Sequence, residues 1–381
     1  MKKTLISLAA LLLAATSAMA QVVVKTNAGD LSLRLIGRTN LDYGRYIPHS
    51  DGLDYGVKMN DTRLGCIATF DKNWTTKMEI CYANKAISFR DLWIGYSIND
   101  KMSLTGGNHF QPFGAKILGL AYKFIEDAQA DYAICPSRKI GVSYDYTSNP
   151  VKATAGIYSD ANIDALGGAK NQGYSLAAKL IGRPICGDSS VLHIGVAAMY
   201  TDVANDYTYN VVQPETFTSR NILSCPSPVA NTININRGEA ELIYIFKRFY
   251  FETHYLTAFS NMVEGLDNIK MNGAYAQTSF LLKGKKQNYN KKTGLAANAS
   301  PKNLELLARA DFLAIDEYGT IDENGVARTN ADQKVMDFTM GLNYFFNKNV
   351  NIRLNYTVAK VEQGDNEFTN NAIQTRLQFA F

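Results

Sequence analysis

Chemistry in this 381-residue chain would have to come from four histidines, five cysteines, and arginines and carboxylates set at alternating positions. His49, His109, His193 and His254 occupy neither a nucleophile elbow nor a metal-ligand spacing. His254 shares a polar strand face with Glu252, an arrangement that suits proton transfer but is far commoner as a wall ion pair. Five cysteines leave at least one without an intramolecular partner. Cys66 and Cys81 are expected on opposite sheet faces, which argues against a bridge. Cys135 and Cys225 both fall in loops, where a bridge and chance proximity are both open, and Cys186 sits in a turn near Pro184. No Cys-x-x-Cys or Cys/His cluster points to zinc or redox chemistry, so no metal or cofactor is expected.

The arginines offer a different chemistry. Alternation turns Arg34, Arg38, Arg63, Arg237, Arg309, Arg353 and Arg376 to one side of their strands. Arg34 and Arg38 stand two pleats apart and could begin a basic track. The same side carries Glu79, Glu239, Glu241, Glu252, Glu305, Asp311 and Asp337, so the surface is mixed in sign. Cross-strand ion pairing and a basic track are both open readings.

The elements that must position these residues are strands. In the tail, Ile373, Thr375, Leu377, Phe379 and Phe381 share one face, and Gln374, Arg376 and Gln378 the other. Such a strand closes a membrane barrel, with its apolar face to lipid and its polar face to water. The terminal Phe resembles the assembly signal of bacterial barrel proteins. At the other end, Lys2 and Lys3, the apolar run Leu5 to Ala15 and Ala18-Met19-Ala20 predict a signal peptide over residues 1–20. That run is too short for a membrane helix, so insertion must use strands. The mature domain is then residues 21–381, exported to the outer membrane of a Gram-negative cell.

Apolar residues make up 46% of the chain and mean hydropathy is −0.16, values that do not name a class. More informative is the spread of 22 Tyr and 18 Phe over short alternating stretches with no long helical period. Sixteen candidate strands result: 30–40, 62–71, 74–83, 88–98, 102–109, 139–147, 151–159, 173–181, 191–202, 236–246, 249–259, 273–282, 304–315, 337–346, 350–361 and the tail. The fold expected is an all-β transmembrane antiparallel barrel of about sixteen strands. Tight polar turns such as Lys72-Asn73, Asn99-Asp100 and Lys247-Arg248 alternate with long loops at 43–61, 110–138, 203–235 and 316–334. The 283–303 connection is long on the side where turns should be short. In the strand 88–98, Phe89 and Trp93 share a face with Asp91, so its sides cannot be assigned.

Five segments in order resemble the phosphate-selective porin O/P family: GNHFQPFG (107–114), SRKIGVSYDY (137–146), AYAQTSFLLKGKKQNYNKKTG (274–294), LELLARADFLAID (304–316) and GLNYFFNKNVNIRLNYTVAKV (341–361). The resemblance implies a trimer of sixteen-stranded barrels, each narrowed by a third loop folded inward. Here that loop is 110–138, which would place Lys116, Lys123, Glu126, Asp127 and Asp131 near the narrowest part. It also accounts for the 283–303 insertion. Anion-specific members line the pore with arginines that hold phosphate through bidentate, charge-assisted bonds, a role open to the seven arginines above.

The function expected is an outer-membrane porin passing small hydrophilic solutes passively, with anion or phosphate preference as one form of it. A general or sugar-type porin is the alternative, since Tyr250 and Phe345 face inward by alternation. An enzyme or surface adhesin is the remoter alternative. The formal charge of +4 less Lys2 and Lys3 leaves +2, too small to favour anions by itself. Partners expected are outer-membrane lipid, small solutes and two further copies of the chain; nucleic acid is not among them, because no basic run interleaves with aromatics.

Overall fold

The computed structural model describes residues 21–381 apart from 27–28, 51–52, 84–85, 116–122, 160–162, 164–171, 205–214, 219–230, 298 and 322–326. The expected signal peptide, Lys116 and Cys225 therefore lie outside the described residues. The strands are β1 (Gln21–Thr26), β2 (Gly29–Ser50), β3 (Leu53–Phe70), β4 (Trp74–Ala83), β5 (Ala86–Ser97), β6 (Met102–Phe110), β7 (Arg138–Thr147), β8 (Val151–Ser159), β9 (Tyr174–Cys186), β10 (Ser190–Asp202) and β11 (Thr232–Phe246). They continue with β12 (Phe249–Met262), β13 (Ile269–Lys283), β14 (Tyr289–Asn290), β15 (Leu295–Ala296), β16 (Leu304–Ile315), β17 (Tyr318–Ile321), β18 (Ala327–Asn330), β19 (Gln333–Phe345), β20 (Val350–Gln363) and β21 (Asn366–Ala380). Among the described residues one short helix, α1 (Gln129–Ile134), lies in the loop after β6.

Seventeen strands form one sheet. Setting aside β1, sixteen antiparallel neighbours close on themselves where β2 meets β21, from Arg38↔Ala380 to Tyr46↔Ala372. Closure leaves no open edge along the wall, the condition for spanning a lipid layer with strands. The β21 strand stops short of the start of β2, and β1 occupies that stretch of edge, from Gln21↔Arg34 to Thr26↔Gly29. The Phe381 backbone completes the seam, exchanging bonds of 2.9 and 3.1 Å with Gly37.

Alternation is nearly perfect over the second half of the wall. On β19, Met336, Phe338, Met340 and Leu342 are exposed outward, while Val335, Asp337 and Thr339 are buried inward. The outer band is apolar because it meets hydrocarbon. Its lower edge carries aromatic pairs such as Trp74–Tyr96 and Phe379–Phe381, suited to a membrane interface.

Two local features differ from the sequence expectation. The stretch 43–61 is not a long loop: β2 runs to Ser50 and β3 restarts at Leu53, because the alternation continues with Asn40, Asp42 and Tyr46 inward and Leu41 and Tyr43 outward. In β5, the register against β4 shifts between Met78↔Leu92 and Ile80↔Phe89, so Arg90 and Asp91 together oppose Glu79. This bulge resolves the conflicting faces of that strand: one extra residue restores Phe89 to the outward set while Asp91 stays inward.

Candidate functional site: the barrel interior

The third loop leaves β6 through Gln111-Pro112-Phe113-Gly114 and turns into the barrel. Gly114 has φ +75°, and a Cβ there would stand 2.2 Å from the Cys135 sulfur, so only glycine fits. Its N–H donates to Glu239 Oε2 at 2.8 Å, and Lys179 donates to its carbonyl at 3.3 Å. The loop's far end is α1, whose Ala130 packs against the wall where a Cβ on Gly273 would come within 2.6 Å.

An apolar patch on the inner wall explains the docking. Phe113, Ala130, Ala133 and Ile134 of the loop pack with Ile235, Leu256, Met271, Leu313 and Ile315 of the strands, all buried. A water-filled lumen would leave these wall positions wet; covering them with the loop removes them from water, at about 25 cal/mol for each Å².

Polar groups then fix the loop's position. Asn355 accepts from the Ile125 N–H at 2.9 Å, and Asn343 donates to the Lys123 carbonyl at 2.7 Å. Arg309 donates to the carbonyls of Glu126 (3.0 Å) and Asp127 (3.2 Å), with its guanidinium over the Phe124 ring. Arg376 donates to the Ile125 carbonyl at 2.9 Å and pairs bidentately with Asp42 at 2.8 and 2.7 Å. Gln129 reaches Asp311 through its backbone and Asp337 through its side chain. Gln374 donates to the Glu126 carboxylate at 2.7 Å. Burial pushes the Glu126 carboxyl up to about 7, against the pull of Arg376 and the Gln374 bond.

A second segment enters from the turn end. Residues 283–303, with the small hairpin β14–β15, pack Leu295 and Ala296 against Val191, Ile243, Ile245 and Tyr250. Tyr289 bonds His193 at 3.0 Å, and Gln287 donates to Glu305 at 2.9 Å. Among the described residues the two inserts meet where the Lys123 ammonium contacts Glu305 (2.6 Å) and Gln287 (3.2 Å) and lies 4.2 Å from the Tyr250 ring centre.

Above that junction the wall holds a buried network. Lys179 stands 3.2 Å from Glu239 and 2.8 Å from Glu241, and His254 stands 3.0 Å from Glu239 and 3.1 Å from Glu252. The ligand atoms of Glu239, Glu241 and His254 lie within 4.8 Å of one another, close enough to hold a cation. The Lys179 ammonium already supplies the positive charge between the two carboxylates, and the network reads as structural. Tyr250 and Tyr275 both donate to Glu252.

The remaining arc, β2 to β8, is arranged differently. Its cations Arg38, Arg63, Lys77 and Arg138 are partly exposed, with Glu79 and Asp91 buried between them, and they form a chain of alternating charge: Arg38–Asp61 (2.5 Å), Asp61–Arg63 (2.7 Å), Arg63–Glu79 (2.9 Å), Glu79–Lys77 (2.9 Å), Lys77–Asp91 (2.5 Å) and Asp91–Arg138 (2.7 Å). Lys152 pairs with Asp145 at 2.6 Å further along. Arg90, on the bulge, approaches the Cys81 sulfur.

The seven arginines read from alternation thus fall into two groups. Arg34, Arg38 and Arg63 stand on the partly exposed arc; Arg237, Arg309, Arg353 and Arg376 are 5%, 6%, 0% and 6% exposed beneath or beside the inserts. Of the loop residues, Lys123 and Asp131 are buried and Glu126 and Asp127 half-buried. Sequence reasoning missed Lys77, Arg90, Arg138 and Lys152. The bulge hid Arg90, while Lys77 and Lys152 lay in plain alternation on the inward side. Cys66 and Cys81 face opposite ways, as expected; Cys81 is buried inward against Asp61.

Comparison with known proteins agrees with this architecture. The family model described as phosphate-selective porin O and P matches residues 35–381. Porin O of Pseudomonas aeruginosa is 30% identical over 123 residues, covering 30% of this chain and 28% of that protein. An uncharacterized protein of Caulobacter vibrioides is 25% identical over 325 residues, 77% of this chain. The chain spans 64% and 28% of the lengths of these two curated relatives. Among solved structures, the trimer form of OmpT, an outer membrane protein of Vibrio cholerae, superposes with TM-score 0.61 at 11% identity, covering 92% of this chain and 99% of that one. The anion-selective porin from Comamonas acidovorans gives 0.58 at 13% identity, covering 92% and 100%. Those two likenesses concern the fold. With the family model spanning nearly the whole barrel, the chain belongs to the phosphate-selective porin O and P family.

Proposed function

We propose that the protein is an outer-membrane porin, assembled as a homotrimer, whose pore runs along the β2–β8 arc and passes small hydrophilic solutes with a preference for anions. The observation that carries this reading is the unequal division of charge inside the barrel. On the arc, Arg34, Arg38, Lys58, Arg63, Lys77, Arg90, Arg138 and Lys152 outnumber Asp42, Asp61, Glu79, Asp91 and Asp145. On the opposite wall and the third loop, Glu126, Asp127, Asp131, Glu239, Glu241, Glu252, Glu305, Asp311 and Asp337 outnumber Lys123, Lys179, Arg183, Arg237, Arg309, Arg353 and Arg376. Those acids are largely enclosed by the inserts, so a solute on the open side meets a basic surface. Lys123, Glu126, Asp127 and Asp131 act in this reading as the residues that set and hold the narrowing, and Lys116 belongs to the same loop. The trimer form of OmpT supports the assembly state.

The alternative is a general diffusion porin, favoured by the fact that each carboxylate in the arc's chain is matched by cations. Reversal potentials in a KCl gradient separate the two. Anion preference predicts a reversal on the chloride side that moves toward zero in an Arg38→Gln/Arg63→Gln variant. A near-zero potential in the unaltered protein would establish the general porin, and absence of conductance from folded protein would refute a channel altogether.

A further inference from the structure

The ends of the barrel carry opposite charge, and this follows from a feature that the pore-lining residues do not explain. The insert 283–303 contains Lys283, Lys285, Lys286, Lys291, Lys292 and Lys302 and no carboxylate. It is tied to the turn end: Lys286 donates to the Asp188 carbonyl, Lys291 to Asn149, Arg183 to the Lys291 carbonyl, and the Gln287 N–H to the Lys247 carbonyl. Three neighbouring turns are thereby tied to one basic plate, and Lys283, Lys285 and Lys292 remain exposed on it. The other turns add Lys72, Lys101, Arg248 and Lys348 against Asp71, Asp100 and Asp188.

The loop end is the reverse. Among the described residues Glu264, Asp267, Asp316, Glu317 and Asp365 are exposed there, against the exposed cations Arg45, Lys270 and Lys334, the last of which pairs with Asp332 at 3.3 Å. Lys360, the nearest cation in the last hairpin, is already shared between Glu362 (2.9 Å) and Glu367 (3.1 Å).

A strand such as β12, with 14 residues, spans roughly 45 Å at about 3.3 Å per residue, or roughly 35 Å along a tilted barrel's axis. Screening in 0.1 M salt acts over about 10 Å, so the two rims keep separate fields. We infer that the protein is an ionic rectifier: an acidic loop-side rim and a basic turn-side rim in series make conductance depend on the sign of the voltage. This rests on the channel reading above and goes beyond ion preference, which the wall would set equally for both directions.

The sign follows from ion supply. With the loop side positive, cations enter past the acidic rim and anions past the basic rim, each through the end that concentrates it, and the pore fills with carriers. With the loop side negative, each ion enters past a rim that repels it, and the pore is depleted.

Single-channel currents of the mature protein at equal positive and negative voltages test this. At 0.05 M KCl the ratio of the two currents should be about two, falling toward one at 1 M, where screening acts over about 3 Å. Replacing Lys283, Lys285, Lys292 and Lys348 with Gln, in protein shown to be folded by its heat-modifiable gel mobility, should bring the low-salt ratio near one. Glu264→Gln/Asp316→Asn/Asp365→Asn, at the other rim, should lower it as well. Symmetric low-salt current in the unaltered protein, or a ratio indifferent to salt, overturns the inference while leaving the channel reading intact. Absence of any conductance overturns both.

Discussion

Lys123 and Glu305, 182 positions apart, meet at 2.6 Å in the middle of the barrel and join the third loop to the strand that follows the turn-side insert. Both are buried, and Gln287 and Ser279 complete the bonding of the carboxylate. The contact fastens one plug to the other. Its loss would leave a charge buried without its partner, the costly case for interior ion pairs.

Glu305→Gln should therefore loosen the third loop. Single-channel conductance is expected to rise by about half or more with increased current noise, while the sixteen-stranded wall stays folded by heat-modifiable gel mobility. Unchanged conductance and noise would mean that the apolar docking of Phe113 and Ile134 holds the loop without this pair.

Gly114→Ala attacks the same loop by geometry. The left-handed backbone costs a side-chain-bearing residue about 1–2 kcal/mol, and the added methyl would also strike Cys135. The expected result is a lower unfolding temperature together with a wider pore. A variant as stable and as narrow as the parent would show that the first turn of the loop yields freely.

Glu126 is expected to make ion preference depend on pH. Because burial raises its carboxyl from 4.5 to about 7, it is mostly neutral at pH 6 and mostly charged at pH 8. Docking of the loop is favoured where the group is neutral, fully so below its unfolded value, and weakens as pH rises through about 7. Anion preference, read as reversal potential, should fall between pH 6 and 8, and Glu126→Gln should flatten that dependence. A persistent slope in the variant would assign the titration elsewhere.

On the outer face, Met340 stands on β19 opposite Ala308 and Tyr356 and is 54% exposed to the surroundings. Met340→Arg should destabilise the folded barrel in lipid by about 2–4 kcal/mol if the residue sits at mid-membrane. Lys152→Gln, inward on the partly exposed arc, should act on conductance instead. Equal effects of the two on stability would contradict the assignment of faces.

Much of this molecule could be read from residue order. Alternation is a local property with a period of two, so all sixteen strands and the faces of Arg38, Arg63, Arg309 and Arg376 were legible in the chain itself. So was the abrupt departure at Gln111-Pro112-Phe113-Gly114, since proline and glycine break a ladder wherever it occurs. Tertiary structure decided which inward residues meet solvent. Arg309 and Arg63 have the same local pattern, yet one donates to the loop carbonyls of Glu126 and Asp127 and the other stands in a partly exposed chain of ions. That difference depends on a loop and an insert reaching across the barrel to strands far away in sequence, and on an apolar inner patch whose purpose appears only once Phe113 and Ile134 cover it. The bulge at Arg90 and Asp91 belongs with these, because a register shift is a relation between two strands; the chain alone showed it only as the conflicting faces of Phe89, Trp93 and Asp91.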